Sequence, residues 1–114
     1  AMAAAPAAPA KAAGGGRRLQ AASYYWGHDR LDQHPAALDR MPYYSGNGGR
    51  DANVFVFDTG VHAGHQELAG RLGLGWAPAG TGINPWVDLD GHGTHVAGTV
   101  AGATAGVSPE ASVH

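Results

Sequence analysis

Asn53-Val54-Phe55-Val56-Phe57-Asp58-Thr59-Gly60 sets four apolar residues in a row and closes them with a carboxylate and a turn. An apolar run without alternation suits a strand covered on both faces, the setting of a parallel sheet sandwiched between helices. The sequence therefore predicts a buried strand over 53–58 and an α/β fold. In open α/β sheets, ligands and reacting groups sit beyond the carboxyl ends of the strands. Asp58 occupies that position, and Thr59-Gly60 turns the chain so that the carboxylate stays at the rim. Taken alone, Asp58 is more readily read as a turn or cap residue.

Gly91-His92-Gly93-Thr94-His95-Val96-Ala97-Gly98-Thr99 opens a helix expected over 91–103, with Asp90 as its N-cap. Its small residues make it intrinsically weak, since each interior Gly costs ~1 kcal/mol relative to Ala. A chain accepts that cost where a helix must approach another backbone closely. The helix is thus expected to pack tightly against the sheet that carries Asp58. That packing would bring the carboxylate within hydrogen-bond reach of His92 Nδ1–H, fixing the tautomer and leaving Nε2 as a general base.

These two stretches, in this order, resemble the Asp and His signatures of subtilisin-like serine proteases. The resemblance extends over about residues 22–114. It includes His65-Gln66-Glu67-Leu68-Ala69-Gly70-Arg71, and Ala105-Gly106-Val107-Ser108-Pro109 after the His helix. It implies a three-layer fold with a parallel sheet flanked by helices, present here as its N-terminal part. It implies an endopeptidase working through an acyl-enzyme, with Asp58 as orienting acid and His92 as base. His95 matches a histidine held for structure. Ser23, Ser45, Ser108 and Ser112 lack the context of the family's nucleophile, and Asn47, Asn53 and Asn84 all precede the His helix, whereas the oxyanion Asn should follow it. The chain by itself is therefore expected to be inactive.

Trp26-Gly27-His28-Asp29-Arg30-Leu31-Asp32-Gln33 and Leu38-Asp39-Arg40 resemble the start of the mature domain in the proteinase K and aqualysin branch. There, acids at these positions hold a structural Ca²⁺, which implies Asp29, Asp32, Gln33 and Asp39 as ligands, with a carbonyl near Met41 as a further donor. Oxygen donors from a loop suit Ca²⁺. The bland alternative is a set of solvated acids paired with Arg30 and Arg40.

Composition sets the outer bounds. The 114 residues amount to one domain or less. Ala supplies 23 of them, whereas Leu, Ile, Val and Phe together number 18, or 16%. That is below the ~20% usual for globular chains and suits a piece of a larger core. A net charge of −2 gives no basic excess for nucleic acid, and no apolar stretch reaches the ~18 residues of a membrane span. There is no cysteine.

Residues 1–21 are rich in Ala, Pro and Gly and read as a flexible lead, a propeptide tail or linker, before the domain at 22–114. Ala1 to Ala13 lacks the apolar centre of a signal peptide. The resemblance nevertheless implies secretion, polypeptide substrates, an inhibitory propeptide and a monomeric intact enzyme. Two other readings compete. One is a catalytically dead, truncated relative that binds a partner. The other is a small zinc module built on His62, His65, His92 and His95.

Overall fold

The computed structural model describes residues 2–4, 25–31, 33–34, 36–41, 43 and 46–114. In chain order the elements are β1 (Met2–Ala4), α1 (Trp26–Leu31), β2 (Asn53–Val54), a 3₁₀ turn (Gln66–Leu68), β3 (Leu74–Trp76), α2 (His92–Ala101) and β4 (Ser112–Val113).

β2 and β4 pair in parallel, Asn53 with Ser112 and Val54 with Val113. Parallel neighbours need a crossover, and α2 lies on that connection. The extended chain runs on past the ladder, because Val56 N–H donates to His114 O at 2.8 Å. On the other side of β4, Leu72 forms a parallel bridge with Val113, and Gly73 N–H donates to Val113 O at 2.8 Å. β4 thus lies between β2 and the approach to β3, in keeping with the α/β class read from the sequence.

The core is narrow and built mostly from small side chains. Leu68, Ala97, Ala101, Ala111 and Val113 are fully buried, Val61 nearly so, and Val54, Val56, Leu72, Trp86 and Val100 pack around them. The α2 residues Ala97 and Ala101 let the helix lie close to β4 and the 3₁₀ turn. Burying a Leu or Val stabilises by ~1.5–3 kcal/mol, so Leu68 and Val113 carry much of the apolar stabilisation.

Several expectations need correction. The run 53–58 is not buried on both faces: Phe55 is 64% and Phe57 88% exposed. Strand side chains alternate, and only the Val54 and Val56 face is covered by the core. The helix spans 92–101 rather than 91–103, and its N-cap is Gly91, with φ of 97°. Asp90 sits one residue further out, although its Oδ1 still accepts from His92 N–H at 3.2 Å. Of the lead at 1–21, the described part is not loose: β1 pairs antiparallel with β3, Met2 opposite Trp76 and Ala4 opposite Leu74. The rest of that lead lies outside the described residues. Among the described residues no helix is long and apolar enough to cross a membrane.

Candidate functional site

Asp58 ends the extended run that begins at β2, and His92 is the first residue of α2. Their juxtaposition depends on two glycines. Gly60 has φ of 114°, a conformation a side chain rarely adopts, and a Cβ there would lie 2.6 Å from Val87 O. A Cβ on Gly93 would run into Gly60 O and sit 3.2 Å from Asp58 Cβ. The helix start therefore rests directly on the turn that follows Asp58, the close approach inferred from the small residues. Gly98 is different, with nothing within 4 Å of where its Cβ would be.

The close approach produces a carboxylate–imidazole pair. His92 Nδ1–H donates to Asp58, at 2.8 Å from Oδ1 and 2.9 Å from Oδ2. Asp58 Oδ1 also accepts from Thr59 N–H at 2.7 Å. The Asp58 side chain is 16% exposed and the imidazole 66%. The bond to His92, followed by the Thr59 amide, holds the Asp58 carboxyl below the ordinary carboxylate range. The same bond raises His92 above the ordinary histidine value, helped by the charges of Asp58 and then Asp90 and Asp88. With Nδ1 committed as donor, neutral His92 has Nε2 as its free acceptor. An imidazole so held can take a proton at Nε2 and be stabilised as the cation by the carboxylate.

A third acid, absent from the sequence-based reading, stands behind the pair. Asp88 Oδ1 accepts from Thr59 Oγ1–H at 2.9 Å, Gly91 N–H at 2.8 Å and Asp90 N–H at 3.1 Å. Its Oδ2 accepts from Thr94 Oγ1–H at 2.6 Å and Thr94 N–H at 2.9 Å. The Thr94 hydroxyl most of all, then the Gly91 and Thr94 amides and the Thr59 hydroxyl, hold its carboxyl far below the usual range. The available cue was an acid four residues before His92, with hydroxyls following both Asp58 and Gly93.

The other candidate residues divide. His62, His65, His92 and His95 do not assemble a zinc site, and among the described residues no three His, Asp or Glu form a metal cluster. His92 Nδ1 is occupied by Asp58, and His65 Nδ1 accepts from Glu67 N–H at 3.3 Å. His95 instead lines a cavity of about 370 Å³ with His65, Glu67 and Thr99.

Asp29, Gln33 and Asp39 do come together, whereas Asp32 lies outside the described residues. Asp29 is 1% exposed, and its Oδ2 accepts from Arg40 N–H at 2.9 Å. Asp39 Oδ1 accepts from Met41 N–H at 2.7 Å. That bond, then the Gln33 side chain and finally Asp29, hold the Asp39 carboxyl below its ordinary value. Arg30 Nη2–H donates to Gln33 O at 2.8 Å. A buried carboxylate beside a second one and a side-chain carboxamide offers hard oxygen donors of the kind that fit Ca²⁺.

Comparison with known proteins places this geometry. The family model described as "Subtilase family" matches residues 49–114. The chain is 41% identical over 92 residues to an extracellular serine proteinase of Thermus sp. (strain Rt41A), covering 78% of this chain and 21% of that protein. It is 38% identical over 88 residues to alkaline protease 1 of Emericella nidulans, covering 77% of this chain and 21% of that protein. The crystal structure of a cold adapted subtilisin-like serine proteinase superposes with a TM-score of 0.63 at 34% identity, over 78% of this chain and 32% of that one. The chain thus spans about a fifth of the length of these curated relatives.

Proposed function

The chain belongs to the subtilase family, and from that premise we propose that the whole protein is a serine endopeptidase in which Asp58 is the orienting acid and His92 the general base. The observation that carries the reading is the bond of His92 Nδ1–H to both oxygens of Asp58, at 2.8 and 2.9 Å. Asp58 keeps the proton on Nδ1, and Nε2 removes the proton of a serine hydroxyl as it attacks the scissile carbonyl. The imidazolium then gives that proton to the leaving amine. Asp58 stays ionised throughout, in line with its depressed pKa.

The serine comes from outside these 114 residues. Ser112 pairs with Asn53, five residues before Asp58, and Ser108 lies against Gly49. Neither is at the rim where His92 stands. The 114-residue chain is accordingly inactive alone. The substrates are polypeptides, the intact enzyme is secreted, as the name of the extracellular Thermus relative suggests, and it works as a monomer. Residues 1–21 are the tail of a propeptide or a linker, and the seating of Met2–Ala4 on β3 suits a lead that folds back on the domain. Asp29, Asp32, Gln33 and Asp39 hold a structural Ca²⁺, whose charge offsets the buried carboxylate.

The test is hydrolysis of a denatured protein by the full-length protein, with labelling by a serine-directed fluorophosphonate. Asp58→Asn should lower kcat by ~10⁴-fold, through loss of the correct tautomer, and His92→Ala, which removes the base itself, by ~10⁶-fold. Full activity in either variant, or inhibitor-sensitive turnover by the isolated 114-residue chain, would overturn the assignment.

A further inference from the structure

We propose that Asp88 is a positioning residue, clamping the Asp58 turn to the first turn of α2 through Thr59 and Thr94. The inference rests on the endopeptidase reading of the Asp58–His92 pair and adds a third acid to it.

Gly91, the N-cap of α2, has no side chain to offer the helix amides. Asp88 takes over that role from outside the helix by accepting from Gly91 N–H and Thr94 N–H. An N-cap side chain would satisfy the helix and nothing more. Asp88 also reaches across to the turn after Asp58. Thr59 Oγ1 donates to Asp88 Oδ1 at 2.9 Å and accepts from Gly93 N–H at 3.0 Å. Thr94 Oγ1 donates to Asp88 Oδ2 at 2.6 Å and accepts from His62 N–H at 2.9 Å. Each hydroxyl is thereby oriented: its one proton points at Asp88, so its lone pairs face an amide of the opposite element.

The two bridges cross between the same elements as the Asp58–His92 bond and both follow it in sequence, at 59–93 and 62–94. Both oxygens of Asp88 meet only donors. A carboxamide would turn an NH₂ group toward Thr59, Gly91 and Asp90, or toward the two Thr94 groups. Neither orientation preserves the clamp.

The experiment uses the full-length enzyme, with the concentration of active sites titrated. Asp88→Asn should lower kcat by ~10²-fold, the usual consequence of ~1 Å misplacement of a catalytic pair, while KM stays within about threefold. Because Asp88, Asp90 and Asp58 all act on His92 by charge, Thr59→Val is the cleaner variant: it keeps every charge and removes one bridge. It should reproduce the loss in kcat and lower the midpoint of the acidic limb of the rate profile, and Thr59→Ser should recover most of the rate.

If Asp88→Asn does not fold, Thr59→Val decides. Unchanged kcat per active site and an unchanged midpoint in Thr59→Val would overturn the proposal. If the wild type hydrolyses no peptide, the endopeptidase reading falls, and the clamp is still read from the NMR titration of His92. A lowered His92 midpoint in Thr59→Val supports the clamp, and a midpoint equal to that of the wild type rejects it.

Discussion

Gly93→Ala and Gly98→Ala are the same chemical change in the same helix and should have opposite outcomes. Intrinsic propensity favours both by ~1 kcal/mol, since Ala is the better helix former. At Gly98 nothing lies within 4 Å of the new methyl, so the propensity gain should survive. At Gly93 the methyl runs into Gly60 O and crowds Asp58 Cβ.

Restoring ordinary contact at Gly93 needs a separation of about 1 Å between the helix start and the turn, and overpacking of this kind costs ~1–3 kcal/mol. The same movement would stretch the 2.8 Å bond between His92 and Asp58 to beyond 3.5 Å, where it no longer counts as a hydrogen bond. Urea unfolding of the chain, followed by circular dichroism, should show Gly93→Ala destabilised and Gly98→Ala stabilised. In the full-length enzyme, Gly93→Ala should lose ~10²-fold in kcat. A Gly93→Ala variant as stable as Gly98→Ala, with kcat within threefold of wild type, would refute the claim that backbone contact sets the site.

Leu68 is fully buried at the centre of a small core, so Leu68→Ala should cost ~2–5 kcal/mol and abolish cooperative unfolding of the isolated chain. The pH dependence follows from the two shifts. His92 is raised, so its stabilising contact is complete below its unfolded value near 6.5 and is lost as pH rises through the higher folded value. Asp58 is lowered, so its contribution is present above its unfolded value near 3.8 and is lost as pH falls through the folded one. The contact should therefore be strongest between about 4 and 6.5, whereas kcat, which needs the neutral base, should rise with a midpoint above 6.5. Chelation by EDTA should lower the Tm of the full-length enzyme. Excess Ca²⁺ should restore it, by ~2.7 kcal/mol at a hundred times Kd, and Asp29→Asn should remove that response. A Tm indifferent to both would reject the calcium site.

The sequence disclosed the pair at 58 and 92 because each lies in a short motif whose glycines mark the close approach. It disclosed less of what surrounds them. Phe55 and Phe57 look like core residues in an apolar run, yet the described chain covers only the Val54 and Val56 face. Asp88 was invisible because it works from an aperiodic loop, and its partners Thr59 and Thr94 are 35 residues apart. No pattern of period 2 or 3.6 links such residues, and only the folded backbone brings them together. In the sequence Asp90 reads as the cap because it directly precedes the glycine-rich start. The chain instead reaches two residues further back, because Gly91 in a left-handed conformation swings the loop so that Asp88 faces the helix amides.

The most direct test of the whole account is the NMR state of the His92 ring in the full-length enzyme. A proton held on Nδ1 in the neutral form, a midpoint above that of a free histidine, and a fall in that midpoint in Asp58→Asn would bear out the pair. A neutral ring protonated on Nε2, with a midpoint indifferent to Asp58→Asn, would contradict it.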